Sequence, residues 1–313
     1  MDAQPVGPAP TGQKRTTART WAKRLALLVM LALAAVAITR NYQAIADDLE
    51  RIPPWTIAGA AVFAVLGMVA SLQVWRELLS GLGSPLRLRP SAHIFFVSQL
   101  GKYVPGSLWS IVAQMEMGRE HKVPRRSAAV LGVLALVISG VAGITVAVAL
   151  MPWVSDDLRH RFWWLVLVLP VLYVLIHPRL LDLVLGRLLR LARREPLPAT
   201  IGWSSLLKAT AWQCLTWLLL GLQVWLIVIG LDGDPTETLA PSIVGYALAY
   251  TLGMAAFFLP AGAGVRDAVL VLALAGSMPT SSALVVALVV RCLSTLVDLL
   301  LAGVQLVIHR ASA

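Results

Sequence analysis

The chain has 313 residues, of which 58% are hydrophobic and only 13% charged, with a mean hydropathy of +0.78. A soluble domain carries about twice that charged fraction, so this balance excludes an ordinary water-soluble globule. The net charge of +10 needs no nucleic acid to explain it, because basic residues flanking apolar segments set membrane topology and meet anionic headgroups.

In chain order, the first residues carry Pro5, Pro8, Pro10, Gly7 and Gly12, then Lys14, Arg15 and Arg19, which predicts a flexible basic tail over 1–20. Residues 21–313 are expected to form a single polytopic domain. Apolar windows follow at 25–39, 55–74, 128–150, 162–176, 206–230, 241–259 and 282–308, with a shorter one at 265–276. A helix needs about 20 such residues to cross a bilayer. The first window is followed by Thr39-Arg40-Asn41-Tyr42 and no small-residue cleavage site, so it does not read as a cleaved signal peptide. The predicted fold is an all-α integral membrane bundle of about eight transmembrane segments, broken or re-entrant at Pro105 and Pro260.

Charge sets the orientation. Lys and Arg gather before the first window, between Arg76 and Arg126 and between Arg179 and Lys208, nineteen in all. The alternate connections hold Arg40, Arg51, Arg159 and Arg161, and the segment 231–240 holds Asp232, Asp234 and Glu237 instead. The positive-inside rule then predicts a cytoplasmic N-terminus in a cell (inner or cytoplasmic) membrane. That parity holds if 94–113 dips into the bilayer and inverts if it crosses. Residues 179–194 read as a basic amphipathic helix, with Arg187 and Arg190 opposite Leu188 and Leu191, lying at the interface or extending the window before it.

Enzyme signatures are missing. There is no phosphate-binding loop, His-Glu-x-x-His, Cys-x-x-Cys or Gly-x-Ser-x-Gly, and the five histidines are scattered at window edges. Cys214 and Cys292 both lie in apolar windows, which suggests neither a disulfide nor a metal site. No cofactor and no enzymatic activity are expected.

Chemistry concentrates in two breaks and a few ionisable groups at membrane depth. The first break runs Gly101-Lys102-Tyr103-Val104-Pro105-Gly106-Ser107-Leu108, followed by Trp109. The second runs Leu259-Pro260-Ala261-Gly262-Ala263-Gly264-Val265-Arg266-Asp267, its proline 155 residues after the first in a chain of 313. Proline ends or kinks an arriving helix, and Gly106, Gly262 and Gly264 let the backbone turn and a ligand approach. A helix restarting there presents free N–H groups and a positive dipole end, which Lys102 and Arg266 would strengthen into an anion site. Paired broken helices in corresponding halves build midplane sites in transporters. Arg291 and Asp298 stand seven apart, on one face of the last window. Glu116 is expected inside as well. A lone charge in hydrocarbon costs about 3 kcal/mol or more, so these groups pair with one another, Arg291 with Asp267 for example, or with a bound headgroup. Phosphate is the foremost candidate anion.

The same residues carry a resemblance. Ser98-Gln99-Leu100-Gly101-Lys102-Tyr103-Val104-Pro105-Gly106, continued by Leu108-Trp109, resembles the hallmark of the lysylphosphatidylglycerol synthase transmembrane-region family. The stretch 259–267 is similar to its second hallmark, with Ala261 at a place usually held by glycine and Asp267 replacing a glutamate. The resemblance extends over most of 25–308, though its specific part is confined to the two motifs. It implies a flippase-like domain of roughly eight helices with re-entrant elements, which in relatives moves aminoacylated phosphatidylglycerol or is linked to polyprenyl-phosphate sugars. The soluble synthase domain of the lysyl-transferring relatives is not expected here. By analogy Lys102, Tyr103, Arg266, Asp267 and Arg291 line the headgroup path.

The expected function is translocation of a phosphate-bearing lipid, a phospholipid or polyprenyl-phosphate lipid, in cell-envelope biogenesis. Lys102, Arg266 and Arg291 would hold the phosphate, with N–H groups after Pro105 and Pro260. Tyr103 and Trp109 would sit at headgroup depth. Asp267, Asp298 and Glu116 would balance charge or carry a coupling proton. Two alternatives are an accessory subunit for an envelope synthase or glycosyltransferase partner, and a membrane enzyme using Asp267 or Asp298 as base on lipid-linked sugars.

Overall fold

The computed structural model describes residues 42–103, 109–154, 156–191, 199–255 and 264–312; the basic tail and the first apolar window lie outside them. The described residues are helical, with no strand among them. Pro53, in extended backbone, ends the short helix α1 (Tyr42–Arg51) and starts α2 (Pro54–Gly81), whose first turn accepts a proline because its N–H would be unpaired anyway. Then come α3 (Leu88–Gln99), a 3₁₀ turn (Leu100–Tyr103), α4 (Trp109–Glu120), α5 (Arg125–Ala149), a second 3₁₀ turn (Met151–Trp153), α6 (Asp156–Phe162) and α7 (Leu165–Leu175). The chain continues with α8 (Pro178–Leu191), α9 (Trp203–Ile229), α10 (Leu239–Ala255), α11 (Val265–Leu274) and α12 (Thr280–Ser312). Residues 43–313 form one compact unit.

Among the described residues, α2, α5, α9 and α12 are long and apolar enough to cross a membrane. A fifth crossing is made if the segment ending in α7 and the start of α8 count as one span, bent by 66°. Pro178 explains that bend, since the ring excludes a continuous helix through it. The basic helix read at 179–194 is therefore α8, leaving its predecessor at an angle, with Arg187 and Arg190 exposed. α10 is apolar but shorter.

Small residues set the packing, as expected where no hydrophobic force acts between helices in lipid. α2 and α9 form the most extensive pair. A Cβ on Gly67 would sit 2.7 Å from Leu220, and one on Gly59 2.8 Å from Leu226. α5 and α10 close in the same way at Gly143, where an added Cβ would lie 2.3 Å from Thr251 Oγ1. Trp217, at 1% exposure, sits among these helices and donates its indole N–H to the Ser139 carbonyl at 3.1 Å. Large apolar side chains point outward instead on α7 (Leu167, Val171, Val174) and α12 (Leu296, Leu299, Leu300), the arrangement of a lipid-facing surface. Trp55, Trp153 and Trp163 are also exposed, at helix ends where amphipathic rings sit.

The segment 94–113 does not cross the membrane as one helix. α3 and α4 have 12 residues each, about 18 Å, too short for a bilayer core of about 30 Å. They pack against each other, and Gly101 lies so close to the start of α4 that a Cβ there would be 2.6 Å from the Ser110 amide N. The chain thus folds back as a helical hairpin. α11, with 10 residues, is likewise a half-length helix, packed on α10 and α12.

Candidate functional site

The hairpin turn, α10, α11 and α12 converge on a cavity of about 870 Å³, whose other walls come from α2, α4, α5 and α9. That volume falls within the roughly 300–1,000 Å³ of ligand-binding clefts. Five charged side chains line it among the described residues: Lys102, Arg266, Asp267, Arg291 and Asp298. They come from the two breaks and from one face of α12, where Arg291, Thr295 and Asp298 recur at helical spacing.

Lys102 is carried into the cavity on the 3₁₀ turn, and its Nζ lies 2.7 Å from Asp298 Oδ2. The Tyr103 hydroxyl donates to the same oxygen at 2.5 Å and lies 3.3 Å from Thr295 Oγ1. Asp298 is only 2% exposed. The break element is therefore pinned to α12 through one carboxylate.

The second break is pinned by the other. Gly264 holds φ at 82°, a left-handed conformation that a side chain would strain, and so starts α11 sharply. Asp267, one turn in, accepts the Gly264 N–H at 3.0 Å and the Arg291 guanidinium at 3.0 Å, both on Oδ2. One N–H at the start of α11, that of Gly264, is thus answered by a carboxylate from the helix's own first turn. The Arg291–Asp267 pair is one of the two arrangements weighed for those residues.

Arg266 differs from the other two cations. Its guanidinium lies 4.0 Å from the Tyr250 ring centroid and 5.7 Å from that of Tyr246, and it donates to the Tyr246 hydroxyl at 3.1 Å. Among the described residues no carboxylate lies within ion-pair distance of it. Aromatic faces stabilise a cation without neutralising it. Gly253 on α10 makes room: a Cβ there would be 2.2 Å from Arg266 Cγ.

Other expected site residues fall elsewhere. Pro105, Gly106, Pro260 and Gly262 lie outside the described residues. Trp109 opens α4, is 51% exposed and does not line the cavity. Glu116 is a correction. Its side chain is 59% exposed and bonds Arg119 and Arg125 at 2.8 Å each, which hold its carboxyl below the usual range. The basic residues at and beyond the end of α4, not the apolar run before it, decide its position.

Sequence reasoning passed over Tyr246 and Tyr250, whose i, i+4 spacing in an apolar window places both on one face of α10. It also passed over Gln114 and Gln213, amides inside or beside apolar stretches that prove buried.

A polytopic all-α membrane bundle with two broken elements, tied by ion pairs to its last helix around an internal cavity, is the class these features define. The chain belongs to the lysylphosphatidylglycerol synthase TM region family, whose model matches residues 24–302. Among curated proteins none matches the chain.

Proposed function

We propose that this protein is a translocase for a phosphate-bearing lipid in the cytoplasmic membrane, with its N-terminus on the cytoplasmic side, serving envelope biogenesis. Family membership supports lipid handling in the envelope. The observation that carries the proposal is Arg266, a guanidinium in a headgroup-sized cavity, held by two tyrosines and with no carboxylate within ion-pair distance among the described residues.

Charge in the cavity points the same way. Lys102 and Arg291 are neutralised by Asp298 and Asp267, so three described cations face two carboxylates. A ligand with one negative charge balances the site, and a phosphodiester is such a ligand. Arginine suits it because the planar fork binds two phosphate oxygens at once. Acyl or prenyl chains remain in the bilayer while the headgroup crosses through the cavity. Movement is passive or coupled to an ion gradient.

Leaflet exchange in proteoliposomes tests this, using fluorescent phospholipids and short polyprenyl phosphates with and without a proton gradient. The wild-type protein should move at least one lipid class selectively. Arg266→Gln should abolish that movement while eluting as folded protein on gel filtration. Unaltered exchange in Arg266→Gln would sink the proposal.

A further inference from the structure

The charged residues occupy only one part of the cavity. The wall made by α2, α4, α5 and α9 carries no charged side chain, and a few polar ones interrupt its largely apolar surface. Gln213 is 5% exposed, lines the cavity, and makes no hydrogen bond to another described residue. Gln114 is 8% exposed; its carbonyl oxygen accepts the Trp75 indole N–H at 3.1 Å, which leaves its NH₂ group without a described partner. Ser139, also buried, contributes its hydroxyl to the lining with no described side-chain bond. Polar groups sealed inside a protein are nearly always satisfied; these three groups are not sealed but open onto the cavity without a described partner, so they are free to bond a ligand there.

This neutral wall is continuous with the anion seat. The Trp217 ring lies 4.8 Å from Tyr250, whose ring in turn lies 4.0 Å from the Arg266 guanidinium. These rings form an aromatic path from Arg266 to α9, which carries both Trp217 and Gln213. Amides, hydroxyls and flat aromatic rings together suit a polyol, whose hydroxyls both donate and accept and whose C–H faces pack on rings. They do not suit an ammonium. Both carboxylates among the described lining residues already pair through Oδ2, Asp267 with Arg291 and Asp298 with Lys102, and the unpartnered Oδ1 of Asp298 is buried out of the cavity's reach. The tyrosine faces that would cradle a cation are covered by Arg266.

We infer that the lipid's headgroup is a phosphodiester bearing a neutral polyol or sugar, read by Gln213, Gln114 and Ser139, and not an aminoacyl or other ammonium-bearing headgroup. This rests on the phosphate-lipid reading above and narrows it. A site that uses buried hydrogen-bonding groups on ligand hydroxyls discriminates strongly against ligands lacking them.

The test is native mass spectrometry of the full-length protein in non-ionic detergent, titrated with short-chain phosphatidylinositol or phosphatidylserine. Both carry one net negative charge, so they differ in polyol against ammonium and carboxylate. Phosphatidylinositol should bind at least tenfold more tightly. Gln213→Met, which keeps the volume, should erase that preference while leaving phosphatidylserine binding unchanged; Ser139→Ala gives a second, smaller probe of the same wall if Gln213→Met does not fold. Arg266→Gln should weaken both lipids tenfold or more. Equal binding of the two lipids, both dependent on Arg266, would overturn the polyol inference and leave the phosphate reading standing. Binding independent of Arg266 would overturn both. Tail-free glycerophosphoinositol, the same phosphodiester without acyl chains, separates the sources: weak competition supports a lipid headgroup, and competition equal to that of the tailed form overturns the lipid reading in favour of a soluble polyol phosphate.

Discussion

Lys102 Nζ and Asp298 Oδ2 lie 2.7 Å apart across the cavity, and the pair joins the 3₁₀ turn after α3 to α12, the longest helix among the described residues. The Tyr103 hydroxyl shares that oxygen, while Asp298 Oδ1 is buried with no partner. A carboxylate so placed is stable only while the lysine remains. Removing one partner of a buried ion pair leaves an uncompensated charge and costs on the order of 3–5 kcal/mol.

Lys102→Ala and Asp298→Ala are therefore expected to destabilise the protein by about 3 kcal/mol or more, whatever they do to transport. Replacing both together, Lys102→Met with Asp298→Leu, should recover most of that loss, because an apolar pair needs no desolvation. Thermal unfolding in detergent reads this out. A double variant as unstable as either single one would show that the pair is not the source of the cost.

Gly253, itself on the cavity wall, controls where Arg266 sits. A methyl group there would meet Arg266 Cγ at 2.2 Å, so Gly253→Ala must push the guanidinium off the Tyr250 face. Alanine is otherwise the better helix former by roughly 0.5–1 kcal/mol, so the fold should be kept. Lipid binding should fall about tenfold or more, since about 1.4 kcal/mol of misplacement has that effect. Native mass spectrometry on Gly253→Ala beside Arg266→Gln measures it; undiminished binding in Gly253→Ala would mean that the position of Arg266 does not matter.

Asp267 serves two partners with one oxygen, the Gly264 N–H and Arg291. Asp267→Ala should lose the cap, worth about 1 kcal/mol, as well as the ion pair. Arg291→Ala should lose only the pair. A double-mutant cycle on the two should return a coupling of about 0.5–3 kcal/mol, as for residues in contact. Additive effects would show that α11 is held to α12 by packing alone, through contacts other than this pair.

The long helices and both breaks were legible because their signals are local: about 20 apolar residues in a row, or proline beside glycine. The half-length of α3, α4 and α11 could be read only where punctuation interrupted the apolar pattern. Partner choice was harder. Nothing local tells Lys102 that Asp298, almost two hundred positions away, will meet it, or tells Arg266 that it will face tyrosines. Glu116 was misplaced because it stands at the end of an apolar run; Arg125, across the turn that ends α4, draws it outward. The neutral wall was missed because Gln114, Ser139 and Gln213 come from three helices and form a pattern only after packing.

Histidines at the far end of α12 give the protein a pH dependence separate from its cavity. At about 1.5 Å per residue, the 33 residues of α12 run about 50 Å, well beyond a bilayer core of about 30 Å, so His309 stands outside the membrane. It stacks on His93 of α3, ring centroids 4.1 Å apart and planes 17° from parallel. Burial pushes His93 below its ordinary range and the neighbouring His309 and His121 add to this, while the Gln305 backbone and Glu120 pull it back. The folded state thus binds a proton on His93 less readily than the unfolded chain does. Its contribution to stability is complete above the ordinary histidine value of about 6.5 and is lost as the pH falls through and below it. Between about pH 7.5 and 5, the melting temperature should fall further in the wild type than in His93→Gln, which has no imidazole to charge. Matching slopes in the two proteins would show that the stacked pair does not link proton uptake to the packing of α3 on α12.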